Sequence, residues 1–68
     1  MDVIDIIIAY NPLFSPDREN VIMVPVEYVE KVKELAQLYN AQIQIFHKMK
    51  SKYVYIRWYY SPDGESDE

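Results

Sequence analysis

The chain has 68 residues, no cysteine and a formal net charge of −4, with a pI near 4.8. The length allows a single domain, and the lack of cysteine excludes disulfides and thiolate metal sites. The acidic pI disfavours a general nucleic-acid binder, because neutralising phosphates requires a basic surface. No apolar run approaches the roughly 20 residues that span a bilayer, so we expect no membrane association and a cytoplasmic location.

The charge concentrates at the C-terminal end. Residues 61–68 carry no apolar side chain and predict a disordered acidic tail, which leaves residues 1–60 as a single domain. A domain of that size buries only about 60% of its unfolded surface and usually needs extra stabilisation. With no disulfide, metal or cofactor indicated, we expect a partner chain, in the form of a homodimer. The composition, with one Gly and many Ile and Tyr, resembles that of small thermophile or archaeal-virus proteins.

Residues 3–10 (VIDIIIAY) are almost continuously apolar, which is typical of a central strand covered on both faces. Asp5 points to the side of this predicted strand that faces away from the core, where we expect it to form an ion pair with Arg57. Pro12 follows shortly and ends the strand. The side chains expected to face the core are Ile4, Ile6 and Ile8.

Residues 21–24 (VIMV) predict a short strand, either in the same sheet or crossing to another chain. Residues 25–39 predict a helix, since Pro25 suits a first turn and the apolar residues recur with helical spacing. Asn40 is the expected left-handed C-cap residue.

Residues 41–47 (AQIQIFH) alternate strictly and predict a strand, with a turn at residues 48–51. Residues 52–60 (KYVYIRWYY) have close to an ideal strand composition. The expected fold is α+β: a small, mostly antiparallel sheet of three or four strands with one helix on one face, in the order β-β-α-β-β. The predicted core comprises Ile4, Ile6, Ile8, Val29, Val32, Leu35, Ala36, Ile43, Ile45, Val54, Ile56 and Trp58.

The other face of the last strand is the candidate binding site. Its predicted members are Tyr53, Tyr55, Arg57 and Tyr59, with Phe46 and the nearby Lys48, Lys50 and Lys52. Tyrosine and arginine are enriched at the centres of protein interfaces. Tyrosines on a sheet can also stack nucleic-acid bases. Plain cross-strand packing is the third interpretation.

Catalytic and metal chemistry have little support in the sequence. His47 is the single histidine, and no spacing ties a serine nucleophile to it. Having one glycine excludes a P-loop and a dinucleotide fingerprint. We therefore expect a non-enzymatic interaction module that self-associates or binds a larger protein, such as a host protein, through the aromatic face. A single-stranded nucleic-acid-binding protein is the alternative.

Overall fold

The computed structural model describes residues 2–60, so the predicted acidic tail at residues 61–68 lies outside the described part. Two helices and three strands follow one another, and a short 3-10 turn at Val26–Tyr28 leads into the second helix. The elements are α1 (Val3–Tyr10), β1 (Asn20–Pro25), α2 (Val29–Leu38), β2 (Ala41–Phe46) and β3 (Tyr53–Tyr60).

The three strands form one antiparallel sheet in the order β1-β3-β2. The aromatic strand β3 is therefore the central strand. Tyr55 lies between Met23 of β1 and Phe46 of β2, and this register places odd-numbered residues of β1 and β3 on one face. The prediction of a small antiparallel α+β protein is confirmed, and residues 21–24 join the same sheet.

The first element contradicts the prediction. Residues 3–10 form helix α1, so the order is α-β-α-β-β and two helices are present. An apolar run of eight residues does not distinguish a buried strand from a buried helix. The Asp5 carboxylate accepts a hydrogen bond from the Asp2 N–H at 3.4 Å, within the first turn. Ile7 is fully buried and Ile8 is 38% exposed, whereas the prediction places Ile8 in the core and leaves Ile7 out of it.

Both helices pack on the same face of the sheet and enclose one core. The prediction is confirmed for six buried residues: Val32, Leu35, Ala36, Val54, Ile56 and Trp58. It missed Ile7, Phe14, Ile22 and Val24, while Ile4, Val29 and Ile43 are partly buried. Ile45 is 36% exposed, because it lies on the outer strand β2.

Trp58 anchors the loop between α1 and β1 to the sheet. Its side chain is fully buried, and its Nε1–H donates to the Pro16 carbonyl at 3.0 Å. The Phe14 ring meets the indole edge-on with centroids 5.2 Å apart. The indole N–H therefore has a partner inside the core, as a buried tryptophan requires.

The predicted helix is confirmed over Val29–Leu38, and so is the left-handed conformation of Asn40, but Pro25 belongs to β1 rather than to the first helical turn. Pro25 precedes the 3-10 turn and α2 continues to Leu38. Asn40 has φ 55°, a left-handed conformation that asparagine tolerates better than most residues. Within residues 2–60, neither helix is long and apolar enough to cross a membrane.

Candidate functional site

In the described part of the chain, residues 2–60, no helix covers one face of the sheet, and we call it the open face. Its residues come from all three strands because the register aligns them side by side. They are Val21, Met23, Gln42, Gln44, Phe46, Tyr53, Tyr55, Arg57 and Tyr59. The five predicted face residues are thus brought together.

The end of the open face nearest the β2–β3 loop is apolar. Met23, Tyr55 and Phe46 form a row across the three strands. Tyr55 and Phe46 remain 48% and 49% exposed, so half of each side chain is available for contact. Tyr53, the next outward residue on β3, meets the Tyr10 ring edge-on at 6.3 Å between centroids. Tyr53, Tyr55 and Phe46 lie together on hydrogen-bonded strands, which favours a defined binding surface.

The other end of the open face is polar, and its groups pair with one another. The Arg57 guanidinium donates to the Glu19 carboxylate at 3.0 Å and lies 4.8 Å from the Tyr59 ring centroid. The Tyr59 hydroxyl donates to Gln44 Oε1 at 3.2 Å. The hydrogen bond to Glu19 raises the pKa of Arg57 above its ordinary value, and the charge interaction with Tyr59 acts in the same direction.

The ion pair predicted between Asp5 and Arg57 is wrong. Asp5 lies in the first turn of α1, where it accepts from the Asp2 N–H. Glu19 takes its place at Arg57, from the loop that precedes β1. The error follows directly from assigning residues 3–10 to the sheet.

The three predicted lysines lie beside the open face rather than on it. Lys48, Lys50 and Lys52 are exposed residues of the loop 47–52 that joins β2 to β3. Lys50 has φ 66°, and His47 Nε2 lies 2.9 Å from the Ser51 carbonyl oxygen across the loop. The positive charge therefore gathers at the apolar end of the sheet, next to Phe46 and Tyr53.

Sequence reasoning missed the contribution of β1. Met23 and the 66% exposed Val21 extend the open face beyond the aromatic strand. VIMV is apolar throughout, so only the alternation of side chains along any strand places Val21 and Met23 on the side opposite Ile22 and Val24. The alternation could be used only after β1 had been placed beside β3.

A shallow depression of about 410 Å³ borders the open face at β1. Tyr10, Leu13, Phe14, Arg18 and Val21 are among its lining residues. It is wide open to solvent, which suits a protruding side chain of a protein better than an enclosed small ligand. Among residues 2–60, no three His, Asp or Glu side chains gather as a metal site would require.

Comparison with protein-family models, curated protein sequences and solved structures finds no match to this chain. Functional inference therefore starts from the open face.

Proposed function

We propose that this protein is a non-enzymatic interaction module that binds a larger protein through the apolar end of the open face. The row of Met23, Tyr55 and Phe46 supports this function, because it is an apolar surface that crosses all three strands and leaves Tyr55 and Phe46 about half exposed. Contiguous exposed apolar patches larger than a few hundred Å² mark interaction sites. The partner would present an apolar patch with carbonyl groups able to accept from tyrosine hydroxyls.

The chemistry of this row suits a protein interface. An aromatic side chain contributes about 150–250 Å² when fully covered. A standard interface buries about 800 Å² on each partner. Tyr53, Tyr55 and Phe46 expose between 41% and 49% of their surface, so they supply the apolar centre and need a polar margin around them. The polar end of the open face provides such a margin on one side.

The charge distribution favours a protein over a polyanion. Arg57, on the polar end, already donates to Glu19 and stacks beside Tyr59. A phosphate would have to compete with that carboxylate. The lysines lie in the loop, at one end of the rings rather than between them. A cysteine-free chain with this charge also fits a reducing, cytoplasmic setting.

A single-stranded nucleic-acid-binding function is the second proposal, and one observation supports it. The exposed rings of Tyr53, Tyr55 and Phe46 lie next to a loop that carries Lys48 and Lys50. Bases could stack on the rings while lysines meet the phosphates, with each stacked base contributing about 1–3 kcal/mol.

The test compares two single substitutions on opposite sides of the molecule. Tyr55→Ser removes the central ring of the open face, and Leu38→Ser removes an 80% exposed apolar side chain from α2. Proteins retained from a host-cell extract by the wild type are identified, purified and titrated by calorimetry. We expect Tyr55→Ser to weaken binding by at least about tenfold, the effect of losing a hot-spot residue. Leu38→Ser should leave affinity unchanged.

The same variants are titrated against a labelled mixed-sequence oligonucleotide at two salt concentrations. Protein binding through apolar contacts gives a negative heat-capacity change and a weak salt dependence. Nucleic-acid binding falls steeply as salt rises. Oligonucleotide binding that is lost in Tyr55→Ser and is strongly salt-dependent would replace the first proposal with the second. Equal effects of Tyr55→Ser and Leu38→Ser would contradict both.

A further inference from the structure

The two outer edges of the sheet differ. At the β1 edge, the Asn11 side chain occupies the place of a neighbouring strand. Its Nδ2–H donates to the Met23 carbonyl and its Oδ1 accepts from the Met23 N–H, both at 2.9 Å. The Asn11 amide also donates to the Ile7 carbonyl at 3.0 Å, which ties this group to α1. The middle of the β1 edge is therefore closed by the chain itself.

The β2 edge is open, and backbone geometry identifies the groups that face outward. In an antiparallel sheet, the N–H and C=O of successive residues point to opposite sides of the strand. The backbone N–H and C=O of Met23 point away from β3, so those of its partner Tyr55 point toward β2. The backbone groups of Phe46 and Gln44 therefore bond to β3. Ile43 and Ile45 therefore direct their N–H and C=O groups to the outside. Among residues 2–60, no group hydrogen-bonds to these two N–H and two C=O groups.

The β2 sequence has none of the features that usually protect an open edge. Edge strands commonly carry charged residues, proline or a bulge that prevents pairing with another chain. Residues 41–46 (AQIQIF) contain no charge, proline or glycine. Ile45 and Phe46 are 36% and 49% exposed on opposite faces at this edge. A neutral strand of this kind meets an identical strand without charge repulsion.

We propose that β2 pairs antiparallel with β2 of a second copy of this chain. A two-fold axis normal to the sheet then joins the two sheets into one of six strands, with both open faces on the same side. Ile43 and Ile45 of each copy lie opposite outward-pointing residues of the other. Their backbone groups gain hydrogen bonds that residues 2–60 of one copy do not supply, and the exposed flank of Ile45 gains an apolar neighbour.

The charges along the strand specify the antiparallel direction. The lysine loop 47–52 follows β2 at its Phe46 end. At the opposite end of β2, Ala41 closely follows α2, which ends at Leu38. Within one copy these ends are separated by about 17 Å of strand, because Ala41 to Phe46 is five steps of about 3.3 Å. Antiparallel pairing brings the lysine loop of one copy toward the negative C-terminal end of the α2 dipole of the other copy.

Two readouts on the full chain test the proposal. Light scattering over a dilution series should show a dimer that dissociates to a monomer. Amide exchange followed by NMR should slow by at least about tenfold at Ile43 and Ile45 between the dilute and concentrated samples, because new hydrogen bonds protect them. The Lys50 amide, in the loop, serves as the internal reference.

The decisive variant is Ile45→Pro. Its N–H has no partner among residues 2–60, and proline is tolerated in edge strands at such positions. We expect a folded monomer at concentrations where the wild type is dimeric. Ile45→Lys provides a second variant should the proline unfold the strand, since an inward charge at an edge prevents pairing. Tyr55→Ser, on the open face, should remain dimeric.

A wild type that stays monomeric at all concentrations would overturn the proposal. So would a dimer whose Ile43 and Ile45 amides exchange at the same rate when diluted. A dimer that survives Ile45→Lys and is lost in Tyr55→Ser would place self-association on the open face instead, which also separates this proposal from the proposed function.

Discussion

Both faces of β3 carry aromatic side chains, but the two faces have different surroundings. The inner residues Val54, Ile56 and Trp58 are at most 1% exposed, under both helices. The outer residues Tyr53 and Tyr55 are 41% and 48% exposed. Neighbours in sequence thus differ strongly in burial, because side chains alternate across the strand and the helices formed by residues 2–60 cover one face of the sheet.

This difference separates a stabilising role from a binding role. Removing an inner residue should leave a cavity and cost the transfer free energy of its atoms. Removing an outer residue should cost little in the monomer, because water already reaches it. Substitutions on the two faces therefore test the functional assignment directly, and the expected effects run from several kcal/mol on the inner face to a small change on the outer face.

The largest effect is expected for Trp58→Ala. The substitution removes a fully buried indole, its Nε1–H bond to Pro16 and its contact with Phe14. Truncating a buried tryptophan typically costs about 3–5 kcal/mol. A small domain has little more stability than that, so the variant should be largely unfolded by circular dichroism at 25 °C. A variant with an unchanged urea midpoint would contradict the assignment of Trp58 to the core.

The second-largest effect on stability tests which side of helix α1 faces the sheet. Ile7→Ala should cost about 2–5 kcal/mol, since Ile7 is fully buried against the sheet. Ile8→Ala is the matched control, and its cost should stay below about 1 kcal/mol because its side chain is partly exposed. Urea denaturation of both variants gives the comparison. Equal costs for the two substitutions would favour an arrangement in which Ile8 is also buried.

The sequence alone could not predict that residues 3–10 form a helix, and the reason is physical. Its eight residues are so uniformly apolar that neither period stands out, and strand and helix both bury such a run. The decision comes from tertiary packing. β1 fills the place beside β3 that residues 3–10 were expected to take, and a second helix is then needed over Ile22 and Val24.

The candidate site was largely predictable. The alternation in KYVYIRWYY separates the inner and outer residues without any knowledge of the sheet order, and the alternation in β2 adds Phe46. Two members could not be found in this way. Met23 joins the open face only through the pairing of β1 with β3, and Glu19 reaches Arg57 from a loop whose path depends on α1.

An intermediate effect is expected at the closed edge. Asn11→Ala removes both hydrogen bonds to the Met23 backbone and the one to the Ile7 carbonyl. Leaving part-buried backbone groups without partners costs about 1–3 kcal/mol. The Met23 amide should also exchange faster. Gln42→Ala, which removes an exposed amide from β2, should change stability by less than about 0.5 kcal/mol. Unchanged exchange at Met23 in Asn11→Ala would show that Asn11 does not protect this edge.

Apart from the control substitutions, the smallest effect on stability is expected for Tyr55→Ser, the variant with the largest expected effect on binding. Tyr55 lies on the central strand β3, three residues from Trp58, yet about half of its surface is exposed. The cost should be about 1 kcal/mol or less, the range over which strand propensities vary. For a domain of this size that corresponds to a fall in melting temperature of about 4–8 °C or less.

The measurement is made at a protein concentration low enough to exclude self-association, because dimerisation would add to the apparent stability. A cost for Tyr55→Ser that approaches that of Trp58→Ala would mean that the tyrosine is needed for folding, and that its loss of binding follows from unfolding. A small cost together with lost binding would instead assign the inner residues to stability and the outer residues to recognition on the same strand.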